Sequence, residues 1–360
     1  MTTEIPLGKA DHIRVKNYYP LKTNYVDDYQ DKVRISIMSE IKSINQKPYI
    51  SVIIVAHNRK TFLKYAIESA INQTLGKNEY EIIVIKNFDD PEVDKLIKES
   101  NIISIKSSDE CLVGDDLAIG LDSSRGEVIA FLDDDDTFLE NKLEVIYGLF
   151  HKNEKIVYYH NAQIFKTLDG SSEPKFKNIR ACFPNNYLIL KFKKIVRKYT
   201  LSPLIFNISS ISIRKSHYVK YIDSLKSLAN HTDDFFFFVG LDADGIYYLD
   251  DRKLTVYLRH QSASKAILKQ NDKLSFLLKK ADIQEKGALA SKYILGLVND
   301  ERLKNIIKAR MELEQLSNNI YMRIFNKNLL LKCIWNSRYY GFKHTILELY
   351  LVIKDLLNSN

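Results

Sequence analysis

Four carboxylates in a row, Asp133 to Asp136, follow an apolar run in "AFLDDDDTFL". Adjacent acids repel one another, and a strand end has no structural need of four. Two chemistries use such a segment. Transfer of a group from a nucleotide, helped by a divalent cation, needs an Asp-x-Asp pair, because hard cations take carboxylate oxygens. A phosphatase with an aspartate nucleophile needs Asp-x-Asp-x-Thr. Asp133, Asp135 and Thr137 satisfy both patterns. A second acid pair, Asp233 and Asp234, stands between Thr232 and "FFFFVGL". A positioned carboxylate suits removal of a proton from a hydroxyl. Two acids also suit the positive end of a helix, with Thr232 as its cap. His260 is a lone histidine, and such residues are as often structural as functional.

Elements must position these groups. Ile50 to Val55 is an almost unbroken β-branched run, the mark of a strand buried on both faces. Phe62, Leu63, Ala66, Ile67, Ala70 and Ile71 then share one helical face. "EIIVIKN", "NIISIK" and "GEVIAFL" read as strands; Pro91 to Glu99 and "VGDDLAIGLDSS" read as helices. This alternation predicts an α/β fold, a mostly parallel sheet flanked by helices. Ligands of such sheets sit at the carboxyl ends of strands, where Asp133 to Asp136 lie. Further on come a strand in "KIVYYHNAQIF", a helix around Tyr187 to Val196, and a strand in "NISSISIRK". "GIYYLDDRKLTVYLRH" predicts two short strands. From Ala266 the pattern is helical, with Leu303, Ile306, Ile307, Leu313, Leu316, Ile320 and Ile324 in one stripe. The division is an extension over 1–47, with a helix at Asp31 to Ser43, a sheet domain over 48–265 and a helical region over 266–360.

The bulk numbers fit a folded chain. Of 360 residues, 45% are hydrophobic and 27% charged. The net charge is +8, and residues 261–360 hold 17 Lys/Arg against 9 Asp/Glu, a difference that equals the whole excess. Three distant cysteines show no metal or redox spacing, which predicts a reducing cytoplasmic setting. No apolar run reaches the ~20 residues that span a bilayer. No nucleic-acid-binding module is present, so nucleic acid is not an expected partner.

Pro48 to Ser264, about three-fifths of the chain, resembles a family 2 glycosyltransferase of the GT-A fold. "SVIIVAHNR" resembles the family's opening strand, and "AIESAINQT" the helix after it. "GLDSSRGEVIAFLDDDD" resembles the Arg-Gly-Glu turn and the Asp-x-Asp strand. "TDDFFF" resembles the acidic pair at a helix start, and "VYLRHQSAS" the closing strand. A haloacid-dehalogenase-like phosphatase, with Asp133 as nucleophile and "IYYLDD" as its later acid pair, leaves "SVIIVAHNR", "EIIVIKN" and "YLRHQSAS" without roles.

The resemblance implies an inverting, metal-dependent transfer of a sugar, from a UDP-sugar by preference, to a hydroxyl of a saccharide or lipid-linked acceptor. It implies Mg²⁺ or Mn²⁺ at Asp133 and Asp135, with His260 as a further ligand. It implies nucleotide contacts from Ala56, His57, Asn58, Arg59, Asn87, Asp116, Asp133 and Asp134, and a general base in the pair Asp233 and Asp234, Asp234 first. The sequence departs from the family at His57, where the family has a tyrosine, and at Lys86-Asn87, where it has acids. His57 can stack on a base and Asn87 can bond its edge; the departures also keep open a binding module without activity. Arg214, after "NISSIS", is a candidate contact for a donor phosphate or the acceptor, unfixed by the sequence. Residues 328–357 mix apolar, aromatic and basic residues, which suits a membrane surface, the inner face of the cell membrane by preference. Packing against the sheet domain or a second subunit is the preferred reading, because Leu and Ile stripes are first of all core.

Overall fold

The computed structural model describes residues 47–168, 179–199, 201–260 and 273–358. The expected helix at Asp31 to Ser43 lies outside them. Strand and helix alternate at first: β1 (Ile50–Ala56), α1 (Leu63–Ile71), β2 (Tyr80–Lys86), α2 (Pro91–Glu99), β3 (Ile103–Lys106), α3 (Val113–Ser123) and β4 (Val128–Asp133). Each boundary has a local cause. At α2 the Asp90 carboxylate accepts from the Glu92 and Val93 N–H groups, and Pro91 takes a first-turn position where its missing N–H costs nothing. At α3 the Asp115 carboxylate accepts from Leu112 N–H at 2.7 Å. Before β4, Gly126 N–H donates to Ser51 Oγ at 2.8 Å, and a Cβ there would stand 2.5 Å from Ser51 N. Only glycine lets the chain pass β1 so closely.

β1 pairs in parallel with β2 on one side and β4 on the other, and β3 extends the β2 side. The strand order β3-β2-β1-β4 therefore reverses at β1. The crevice at the carboxyl ends of β1 and β4 is the switch point where such sheets bind ligands. Val55 and Asp133 are register partners there. Ile50, Val52, Ile53, Ile54 and all of Val128 to Leu132 are buried, as strands covered on both faces require.

Beyond β4 lie β5 (Thr137–Phe138), α4 (Lys142–Lys152), β6 (Ile156–Thr167), β7 (Ala181–Pro184), α5 (Asn185–Tyr199), β8 (Ile211–Arg214), α6 (Thr232–Leu241) and β9 (Ile246–Arg259). The sheet continues β4-β8-β6-β9-β5, with β7 on β9. It is parallel where strand and helix alternate and mixed here: β8 runs antiparallel to β4 and β6, while β6 and β9 are parallel. Two expectations are corrected. The two short strands of residues 246–259 are one strand, β9. The pairing steps from Asn161↔Asp250 to Ala162↔Lys253, so a bulge absorbs Asp251 and Arg252. Thr232 does not cap α6: His231, left-handed at φ 57°, holds that position.

The helical region comprises α7 (Lys273–Leu297), α8 (Glu301–Tyr321), α9 (Lys327–Tyr340) and α10 (Phe342–Asn358). Ile294, Leu303, Ile306 and Ile307 join the core that holds Ile53, Phe131 and the four phenylalanines of α6. Sheet and helices thus share one core within the compact unit Lys47–Asn360. Among the described residues, no helix is long and apolar enough to cross a membrane.

Candidate active site

The end of β4 turns sharply, with Asp136 N–H donating to Asp133 O at 3.2 Å. The turn folds the acids together: Asp133, Asp135 and Asp136 each offer an oxygen within 4.8 Å of the others. The backing is polar and buried. Asp133 N–H donates to Ser209 Oγ at 2.9 Å, and Asp136 Oδ1 accepts from Leu258 N–H at 3.0 Å. Buried Lys142 donates to Ser209 O and, at 2.8 Å, to Thr255 Oγ1. Burial, and after it the charge of Asp135, push Asp133 well above the usual carboxylate range and Asp136 up to about 7. Asp136 Oδ2 is buried without a hydrogen-bond partner. Three carboxylates short of positive charge, with an orphaned oxygen, match the donor set of a hard divalent cation.

Asp134 faces elsewhere. Arg59 grips it through Nε at 2.8 Å and through Nη2, and reaches Asp135 through Nη1 at 2.8 Å. Arg59 is therefore engaged by acids and balances one of the four charges. His260 follows β9 and meets Asp135 at 2.8 Å, its ring 4.7 Å from that of Phe62. The structure thus brings together Asp133, Asp134, Asp135, Arg59 and His260, and adds Asp136.

Ala56 ends β1, buried, and His57 follows it into the crevice. Its Nδ1 lies 3.4 Å from the carboxylate of Asp116, which is fully buried on α3. Neither Asp116 oxygen has a hydrogen-bond partner, and burial raises its pKa. Asn58 is left-handed at φ 57° and is held there by Asn87: Asn87 Oδ1 accepts from Asn58 N–H, and Asn87 Nδ2 donates to Asn58 Oδ1, both at 2.8 Å. The second Nδ2 proton goes to Asp109 Oδ1 at 2.9 Å. Asn87 has thus spent both donors, so it shapes the crevice wall rather than offering a donor to a base edge. Arg214 is structural rather than a phosphate contact: its guanidinium donates to the carbonyls of Ile156, Phe150 and Asn153 at 3.0–3.3 Å.

The second acid pair opens α6, which packs on β4 through Phe236 and Phe131, ring centroids 4.5 Å apart. The two acids differ. Asp234 is buried, and its Oδ2 accepts from Arg310 Nη2 at 2.6 Å and from His231 Nδ1 at 3.0 Å. Those partners hold its pKa below the ordinary value despite burial. Asp233 is half-buried, and burial with the Asp234 charge pushes it up to about 6. His231, Asp233 and Asp234 are as close as the first cluster, but Arg310 already supplies their positive charge. Sequence reasoning missed Asp136 as a cluster member, Ser209 and Lys142 beneath it, Asp109, and Arg310. The small polar run "NISSIS" was the available signal for Ser209; Arg310 had none, because its partner lies 76 residues away.

The family model for glycosyl transferase family 2 matches residues 51–220, the stretch that carries β1 to β8. Residues 51–220 belong to glycosyl transferase family 2. The family 2 stretch resembles an uncharacterized glycosyltransferase of Methanocaldococcus jannaschii, 31% identical over 172 residues, 44% of this chain and 59% of that protein. It also resembles the minor teichoic acid biosynthesis protein GgaA of Bacillus subtilis, 35% identical over 129 residues, 30% of this chain and 28% of that protein. The chain thus spans about three-fifths or less of these relatives. Among solved structures, S. aureus TarS 1–349 shares the fold, with TM-score 0.54 and 15% identity over 86% of this chain and 88% of that one.

Proposed function

We propose that this chain transfers a sugar from a nucleoside-diphosphate donor, a UDP-sugar by preference, to a hydroxyl of a saccharide or lipid-linked acceptor, with inversion. The observation that carries the reading is the Asp133–Asp135–Asp136 cluster at the switch point, beside His57 and the buried carboxylate of Asp116, whose oxygens accept no hydrogen bond. TarS, of the same fold, is solved in complex with UDP-GlcNAc at TM-score 0.52, and GgaA belongs to teichoic acid biosynthesis; both support a nucleotide-sugar donor and a glycan acceptor. Asp133, Asp135 and Asp136 would hold Mg²⁺ or Mn²⁺, with His260 beside Asp135. Such an ion stabilises the negative charge that gathers on a departing diphosphate. Ala56, His57, Asn58 and Asp116 line the base and ribose side: His57 offers a flat ring, and Asp116 an acceptor for a base N–H. Arg59 holds Asp134 and Asp135 in place.

On the acceptor side a base takes the hydroxyl proton while the new C–O bond forms and the anomeric carbon–phosphate oxygen bond breaks. One displacement inverts the anomeric carbon. Resemblance favours Asp234 as that base. The geometry favours Asp233, because Asp234 is clamped by Arg310 and His231, while Asp233 is partly exposed with a pKa nearer neutrality. The phosphatase reading loses its second acid pair, since Asp250 is bound to Arg252 and Tyr159 in the β9 bulge. Nucleotide release from a panel of UDP- and GDP-sugars, with and without Mn²⁺, tests the reading. Asp135→Ala is expected to lose metal-dependent donor binding. Asp233→Asn is expected to keep it and lose roughly 10²–10⁴-fold in kcat. Phosphate release from a phosphomonoester without nucleotide release would establish the phosphatase; donor binding without turnover, the inactive module.

We also propose that α9 and α10 meet an anionic lipid surface. Both helices carry apolar residues on the outer face as well as on the face that packs inward. On α10, Phe342, Ile346, Leu347, Tyr350, Leu351 and Leu357 are exposed, while His344 and Thr345 are buried. On α9, Leu331, Ile334 and Trp335 face outward, Trp335 under the Arg338 guanidinium at 4.1 Å. Lys327, Lys332, Arg338, Lys343 and Lys354 are exposed beside them, whereas the two acids of these helices are half-buried and engaged, Glu348 by His344 at 3.7 Å and Asp355 by Lys280 at 3.3 Å. An apolar face rimmed by cations complements anionic headgroups. Trp335 is the single tryptophan, so its emission reports this face alone. Vesicles of phosphatidylglycerol should shift that emission to the blue and cosediment with the protein, less so at high salt; phosphatidylcholine should not. Emission unmoved by either lipid would overturn the proposal, and emission already blue and dependent on protein concentration would assign the face to a second copy of the chain instead.

A further inference from the structure

The acid pair of α6 is completed from the helical region. Arg310 of α8 donates through Nη2 to Asp234 Oδ2 at 2.6 Å and through Nε to Glu314 Oε1 at 3.0 Å. Glu314 is held in turn by Ser291 Oγ of α7 at 2.8 Å. The contact is shaped at backbone level too. A Cβ on Gly287 of α7 would stand 3.0 Å from Glu314 Oε1 and 3.3 Å from His231 Nε2. His231 reaches Asp234 only because its own backbone is left-handed, at φ 57°. A buried guanidinium with two carboxylate partners is costly to assemble unless the geometry serves something. Hydrophobic packing alone would have docked α7 and α8, since Ile294, Leu303, Ile306 and Ile307 already lie in the shared core.

We propose that Arg310 is a positioning residue for the transfer reaction: by pinning the Asp234 carboxylate, it fixes the first turn of α6 and leaves Asp233, which accepts only the Asp234 N–H at 3.0 Å, as the acid that faces the acceptor. The inference rests on the reading of the acid pair as the base, and it makes the helical region part of the catalytic unit. The groups facing Asp234 are His231 and Asp233 on its own segment, Arg310 and Glu314 on α8, Tyr158 on β6 and Tyr340 on α9. Of these only Arg310 is a permanent cation. Without it Asp234 competes for the protons of the pair, and deprotonation of both acids moves to higher pH.

The test compares Arg310→Lys and Arg310→Met in the full-length chain, by donor KM, kcat and the pH profile of kcat. Arg310→Met should leave donor KM unchanged, lower kcat about tenfold or more at neutral pH, and move the acidic limb up by about one unit. Arg310→Lys, which keeps the charge, should hold the limb near its original place. A thermal melt of each variant identifies simple unfolding; if Arg310→Met does not fold, the limb of Arg310→Lys against Glu314→Gln carries the test. A kcat loss at every pH with an unmoved limb would reduce Arg310 to a structural ion pair and overturn the proposal. If Asp233→Asn and Asp234→Asn both keep full turnover, the acid pair itself is not the base; if they lose turnover while Arg310→Met does not, only the role of Arg310 fails.

Discussion

Arg214 separates a residue's chemistry from its position. An arginine after a strand in a phosphate-handling fold invites a ligand role, but this side chain is buried and its donors serve three main-chain carbonyls that end α4 and begin β6. Arg214→Ala leaves those carbonyls short of partners, so it should cost about 2–4 kcal/mol, read as a lowered Tm. Donor KM of the folded protein should not change. A raised donor KM with an unchanged Tm would return Arg214 to the active site. The aspartates show the converse. Their pairing was legible as an Asp-x-Asp pattern, but Asp133 and Asp135 converge through the turn that ends β4 and not through strand alternation. That turn was not legible, and it brings in Asp136, which a strand rule would send to the far side. Asn87 was legible as a crevice residue but not as a spent one, because its partners Asn58 and Asp109 lie 29 and 22 residues away.

At the scale of elements, legibility tracks the range of the forces. β1 to β4 and the helices between them emerge from periodicity, since a strand buried on both faces and an amphipathic helix each carry their signature locally. The caps of α2 and α3 are equally local. The strands beyond β4 depend on pairing between distant segments. Nothing within residues 246–259 announces one strand rather than two, because the bulge that joins them is dictated by the register of β6. Asp250, which accepts from Arg252 N–H at 3.1 Å, gives that bulge its internal hydrogen bond. The start of α6 is similar: Thr232 has the better capping side chain, yet His231 takes the cap because its ring and Arg310 meet at Asp234. Here a tertiary network overrides a local propensity, and it does so at a candidate functional position.

At the scale of the molecule, the helical region is both core and surface. Its inner side is fused to the sheet through Arg310 and the shared core, and its outer side carries the basic apolar face. The joint has a titratable point. His344 of α10 is buried beside Tyr340, ring centroids 5.1 Å apart, and its Nδ1 has no partner. Burial first, and then the Arg310 charge, push its pKa down to about 4. An unfolded histidine titrates near 6.5, so between pH 6.5 and 4 the unfolded chain binds the proton more readily than the native one. Stability from this group is complete above about pH 6.5 and is lost as pH falls toward 4, by at most about 3 kcal/mol. Asp233, with its pKa raised to about 6, titrates in the opposite sense, so the histidine is best isolated by difference. Thermal melts of the wild type and His344→Gln from pH 7.5 to 4.5 should diverge, with the wild type losing more stability on acidification than the variant. Parallel curves would mean that water reaches the ring and that the joint between α10 and Arg310 is open in solution.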